Sequence, residues 1–150
     1  MSTITSTGYV RDARTTPATY VTRDGAALLA RVLLAAIFIW SGFGKLSGFE
    51  GVASGIAARG LPMPTVLAAL AVAMELGGGI LLLVGVRARW IALLFVIFLA
   101  VITPMYHDFW NATGNAVMGQ KINFMKNVAI AGGMLMVFAF GPGRYSADRG

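Results

Sequence analysis

Four stretches of this chain are almost bare of charge, and polar segments separate them. Residues 26–46 hold only Arg31 and Lys45 as charges, and residues 65–86 hold only Glu75. Residues 90–106 hold none, and residues 124–140 carry Lys126 and Asn127 near their start. A membrane-spanning helix needs about 20 mostly apolar residues, because each adds 1.5 Å against a hydrocarbon core of roughly 30 Å. The last stretch reaches that span by starting near Gln120 or Lys121. The pattern predicts helices over about 26–46, 65–86, 88–106 and 121–140, with Pro104 stopping or kinking the third. The expected fold is an all-α membrane protein, an antiparallel bundle of four transmembrane helices.

The intervening segments differ in character. Residues 47–64 are rich in Gly and Pro with Phe49 and Ile56 between them, which suits a short helix at the membrane interface. Residues 85–89 form a tight turn, and residues 107–120 are polar, with Phe109 and Trp110 at the start. Residues 1–24, with nine Ser or Thr, read as an extended or surface-lying tail, and residues 142–150 as a short polar tail. The first apolar run starts too late for a signal peptide, so it is expected to remain as a spanning helix. Residues 25–141 then make one domain.

Composition sharpens the assignment. Hydrophobic residues are 57% of the 150 and charged residues 12%, where a soluble domain carries about 45–50% and roughly 25%. Mean hydropathy is +0.75. Intrinsic disorder is excluded, and the absence of cysteine removes disulfides, iron–sulfur clusters and thiolate metal sites. The single histidine, His107, cannot give bis-histidine haem ligation, and no zinc spacing or phosphate loop is present. No metal site is expected.

The net charge of +6 is spread along the chain beside the apolar runs, a pattern that sets membrane orientation and touches anionic lipid, not nucleic acid. With the amino terminus inside, the cytoplasmic side holds Arg11, Arg14, Arg23, Arg31, Arg87, Arg89, Arg144 and Arg149. The other side holds Lys45, Arg59, Lys121 and Lys126. That bias places both termini in the cytoplasm.

Ionisable groups inside spans are costly, about 2.5–3.5 kcal/mol on insertion scales, and so have a partner or a function. Glu75 sits near mid-membrane and Arg31 in the cytoplasmic third of the first helix, and antiparallel packing suggests a buried polar pair. Two readings stay open for Glu75: a neutralising contact that fixes bundle register, or a proton-relay or ligand-binding carboxylate. A second group gathers at the outer helix ends: Lys45, His107, Trp110, Lys126 and Asn127, with Tyr106, Gln120 and Lys121 near them. His107, with an unperturbed pKa near 6.5, suits donation to a quinone carbonyl or an ordinary interfacial position. Trp110 suits an aromatic anchor. Small residues at Ser41, Gly42, Gly44, Gly77, Gly78, Gly79, Gly132 and Gly133 mark faces where helices can pack closely.

These residues resemble the DoxX family of small four-helix bacterial membrane proteins. The likeness runs from Arg31 to the end and rests on four stretches. They are Arg31 with Ile-Phe-Ile-Trp-Ser-Gly-Phe-Gly-Lys-Leu at 37–46, and Glu75-Leu-Gly-Gly-Gly with Gly85-Val-Arg-Ala-Arg89. Then come His107-Asp-Phe-Trp with Lys126-Asn127 and Gly132-Gly133, and the ending Gly141-Pro-Gly-Arg-Tyr-Ser-Ala-Asp148. The resemblance implies a multi-pass protein of the bacterial inner membrane. Some relatives are named as subunits of a thiosulfate:quinone oxidoreductase, and others are linked to membrane oxidoreductase assemblies and oxidative-stress defence.

The resulting expectation is a membrane component of a quinone-linked oxidoreductase system. Arg31 and Glu75 would form the buried pair, and Lys45, His107, Trp110, Lys126 and Asn127 would face the ligand. No firmly bound cofactor is expected; a quinone is the candidate for reversible binding. The expected partners are the lipid bilayer and either protein subunits or further copies of the chain. The alternative is a non-catalytic accessory subunit that scaffolds a larger membrane complex.

Overall fold

The computed structural model describes residues 17–148. Helix α1 runs Pro17–Ser47, and the short α2, Phe49–Ala57, follows after Gly48. Next comes a continuous helical rod in three parts: α3, Pro64–Val72; a π turn, Ala73–Gly77; and α4, Gly78–Val84. Helices α5, Ala88–Tyr106, and α6, Ala116–Phe140, complete the order. Four of these rods are long and apolar enough to cross a membrane: Thr22–Ser47, Pro64–Val84, Ala88–Tyr106 and Ala116–Phe140. All described regular structure is helical, as expected of a chain whose backbone must satisfy itself within lipid.

Some boundaries differ from the hydropathy pattern. Helix α1 is already formed at Pro17, the first described residue, well before the apolar run. Residues 1–16 of the expected tail lie outside the described residues. Helix α6 begins at Ala116, several residues before its apolar stretch. Helix α5 ends two residues past Pro104, which has no N–H to give the Ala100 carbonyl, and its last turn closes with the His107 N–H on the Thr103 carbonyl at 2.9 Å.

The rods alternate in direction, so α1 starts and α6 finishes at the same end of the bundle. There the Arg144 backbone N–H donates to Asp24 Oδ1 at 3.1 Å. The core is thin. Phe95, fully buried, packs on Phe38 with ring centroids 4.0 Å apart, among Ala35, Leu82, Ala92, Leu99 and Met134. Small residues there let the rods approach until aromatic rings fill the remaining volume. Large apolar side chains such as Trp40, Leu33, Phe43 and Val101 point outward instead. An exterior of that kind suits lipid and would aggregate in water.

Glycines set the register between α1 and the α3–α4 rod. A Cβ on Gly42 would stand 2.6 Å from the Leu76 backbone nitrogen, and one on Gly79 would stand 2.9 Å from Ile39 Cγ1. The structure therefore matches residue 42 with 76 and residue 39 with 79. Gly78 and Gly133 pack similarly on Phe95 and Leu34, whereas Gly44, Gly77 and Gly132 face open space. Only some of the small residues of the sequence are contact points.

The segment after α6 is tied down. Ala147 and Asp148 N–H groups donate to the Val84 and Gly85 carbonyls at 3.1 and 3.2 Å, and the Asp148 carboxylate accepts the Arg87 N–H. Gly85 has φ 84°, and a Cβ there would collide with Ser146. The α4–α5 turn is thus shaped to receive the carboxy-terminal segment.

Candidate functional site

Lys45 and Ser41 stand one turn apart on α1, so both side chains share a face of that helix. Lys45 Nζ donates to Ser41 Oγ and to Glu75 Oε2, each at 2.7 Å. The Glu75 side chain is 4% exposed and that of Lys45 is 30% exposed. The carboxylate is therefore interior, while the ammonium reaches the margin of the bundle. An ammonium has three N–H donors, and two are engaged here.

Local structure explains how Glu75 gets there. Gly42 admits the backbone at Leu76, which brings the adjacent residue against α1. Glu75 also lies within the π turn Ala73–Gly77, where one extra residue per turn re-aims side chains. Such turns occur often at functional sites. A lone carboxylate at this depth would be strongly disfavoured; the ammonium at 2.7 Å neutralises it.

Arg31 does not pair with Glu75, as the sequence had suggested. The residue register places Glu75 level with about residue 43 of α1. Arg31 is twelve residues away, about 18 Å of helix rise, while Lys45 is two. Arg31 instead turns to the opposite end of the bundle and is 1% exposed. Its Nη1 donates to the Pro142 carbonyl at 2.8 Å, and its Nη2 to the carbonyls of Tyr145 at 2.6 Å and Leu83 at 3.2 Å. It joins α1, α4 and the carboxy-terminal segment, and its role is to hold them together.

The other candidates lie along the α5–α6 seam. Asn127 Nδ2 donates to Thr103 Oγ1 at 3.2 Å, which satisfies a polar side chain within a span. His107 Nδ1 lies 2.9 Å from Gln120 Oε1 and donates to it where the amide oxygen accepts. Trp110 is half-exposed and meets the edges of Phe109 and Phe124, with centroids 5.1 and 5.9 Å apart. Arg59 sits over the Tyr106 ring at 4.2 Å, a cation–π contact at the same end. Lys126, one residue from Asn127, is exposed and turned away from the seam.

The predicted residues therefore do not converge on one pocket. Lys45 belongs with Glu75 and Ser41, Asn127 with Thr103, and His107 with Gln120. Thr103 is the buried partner that sequence reasoning missed, since a threonine in an apolar run gives no signal of its own. Ser41 was legible only as a small residue, although its spacing of four from Lys45 carries the hydrogen bond. Among the described residues, no three His, Asp or Glu side chains gather as metal ligands.

Comparisons with known proteins fit this architecture. Residues 26–108 match the model of the DoxX family. The chain is 42% identical over 122 residues to the inner membrane protein YphA of Escherichia coli (strain K12), covering 81% of this chain and 87% of that protein. It is 35% identical over 126 residues to the inner membrane protein YqjF of the same organism, covering 84% and 92%. No solved structure matches the chain significantly. With four spans and relatives of this kind over most of its length, the chain is a multi-pass inner membrane protein and belongs to the DoxX family.

Proposed function

We propose that this protein is the quinone-binding membrane component of an oxidoreductase system. The observation that carries the reading is the Lys45–Glu75 ion pair, set in the π turn and reaching the margin of the bundle. An ionisable pair within a membrane span is by default a site for proton or ligand chemistry. Lys45 retains a third N–H that can donate to a carbonyl oxygen arriving from the lipid side. Glu75 can take or give a proton beside it, its negative charge balanced by the ammonium. Gly44, adjacent to Lys45, leaves open space in which a flat ring can lie. A bound quinone would supply the two-electron, two-proton couple, and a partner protein would exchange the electrons, because this chain has no cysteine for thiol redox chemistry.

We also place the end carrying Arg23, Arg31, Arg87, Arg89 and Arg144 in the cytoplasm, on the bias of positive charge toward that side. The test of the function is co-purification. Protein from its native membrane in mild detergent should carry a quinone in near-stoichiometric amount, and Lys45→Met and Glu75→Gln should each lose most of it. Wild-type protein without quinone, or variants that retain it, would overturn the reading.

A scaffold role is the second reading, favoured by α6. Of its 25 residues only Met134 and Val137 are buried, so much of its surface is available to another subunit. A fixed set of protein partners with no quinone would select that reading.

A further inference from the structure

The end of the bundle where α1 starts and α6 finishes holds a cleft of 640 Å³, lined by Asp24, Arg89, Phe140, Arg144 and the Gly141-Pro142-Gly143 turn. The geometry points to a binding site for a phosphate group here, presented by the headgroup of an anionic phospholipid. Nothing in the Lys45–Glu75 reading bears on this site, which lies at the other end of α1.

The charge is the first argument. Among the described residues the ion pair is Lys45–Glu75, and neither Arg89 nor Arg144 is matched by a carboxylate. Asp24 is the acidic residue of the lining, and one of its oxygens is already engaged by the Arg144 backbone N–H. Two guanidinium groups and one carboxylate leave the cleft with an excess of one positive charge, which a phosphodiester would neutralise. Guanidinium is also the cation best matched to phosphate, since its planar fork offers paired N–H donors to two oxygens.

The turn is the second argument. Gly141 has φ 85°, and a Cβ there would stand 3.2 Å from Arg89 Nε and 3.3 Å from an Nη. Gly143 has φ 77°, and a Cβ there would press on Ala27 at 2.9 Å. The positive φ of both residues favours glycine and Ala27 leaves no room for a side chain at Gly143, so the turn lets the Arg89 head lie close to the main chain in the cleft. Arg31 fixes the same turn from beneath through the Pro142 carbonyl. The Arg89 head is thus exposed at the cleft while its inner side lies against the Gly141 backbone.

Position supplies the third argument. Phe140 is 74% exposed at the cleft, and Trp90, beside Arg89, is 61% exposed. Aromatic rings at this depth mark the boundary between headgroups and acyl chains. A lipid can therefore set its phosphate between the arginines and run its chains over these rings, whereas a soluble phosphate would use only the polar part.

The full chain in mild detergent, titrated with phosphatidylglycerol, phosphatidylcholine or inorganic phosphate and read by native mass spectrometry, tests the site. Phosphatidylglycerol should bind at least tenfold more tightly than phosphatidylcholine. Arg89→Gln and Arg144→Gln should each weaken it by about tenfold, as expected for losing charge-assisted hydrogen bonds. Arg23→Gln, which alters a charge at the same end but outside the cleft, should change it less than twofold. Displacement by millimolar inorganic phosphate would identify the phosphate alone as the ligand; its failure to compete would identify the lipid. Arg144→Gln keeps the backbone bond to Asp24, so it carries the test even if Arg89→Gln folds poorly. Absence of both lipid preference and phosphate binding, or equal loss in Arg23→Gln, would overturn the proposal.

Discussion

Removing Lys45 should cost more stability than removing it together with Glu75. Lys45→Met leaves a carboxylate, 4% exposed, without its counter-charge inside the membrane. Losing one member of a buried pair costs about 3–5 kcal/mol, and insertion scales give about 3 kcal/mol for a lone charge at this depth. The exposure of Lys45 permits some relaxation toward water, so about 3 kcal/mol is expected for Lys45→Met. Glu75→Leu leaves an ammonium that keeps Ser41 and can extend outward, and about 1–2 kcal/mol is expected. The double variant replaces the pair with apolar groups and should fall within about 1 kcal/mol of wild type. The coupling energy is then about 3–5 kcal/mol. Equilibrium unfolding in mixed micelles with rising dodecyl sulfate, followed by helical circular dichroism, measures all four corners of the cycle. A coupling below about 0.5 kcal/mol would refute the ion pair as a stabilising contact. The same cycle with Arg31→Met in place of Lys45→Met should show no coupling beyond about 0.5 kcal/mol, because the two residues serve opposite ends of the bundle. Coupling above about 1 kcal/mol there would restore the Arg31–Glu75 pairing.

Three further outcomes are expected. Gly42→Ala forces a Cβ onto the Leu76 backbone and should destabilise by about 1–3 kcal/mol, while Gly132→Ala, with open space around it, should stay within about 0.5 kcal/mol in the same unfolding assay. Phe95→Ala empties the centre of the core and should cost about 3–5 kcal/mol. The Thr103–Asn127 hydrogen bond, tested by Thr103→Val and Asn127→Ala in a double-mutant cycle, should show a coupling of only about 0.6 kcal/mol, the usual size between membrane helices.

Much of the fold was legible in the sequence because the choice of solvent is a local property. Twenty apolar residues in a row exclude water wherever they occur, and four such runs fix both the number of spans and their alternation. The turn after Gly85 and the existence of the short helix α2 followed from Gly, Pro and scattered apolar residues in the same local way. The start of α6 at Ala116 escaped because hydropathy says nothing about a helix end outside its apolar run.

The pairing of charges was a different matter. The sequence pointed to Arg31 as the partner of Glu75 and the structure gives Lys45, because only the offset between two helices decides. Close approaches at Gly42 and Gly79 set that offset, and the π turn directs Glu75 toward α1. The partners of Arg31 were illegible for another reason. They are carbonyls of Leu83, Pro142 and Tyr145, and every residue has a carbonyl, so no residue type announces such a contact. The sequence by itself determined a four-span membrane protein of this family. Tertiary structure decided which charges meet, because register is a sum of packing contacts that no single segment contains.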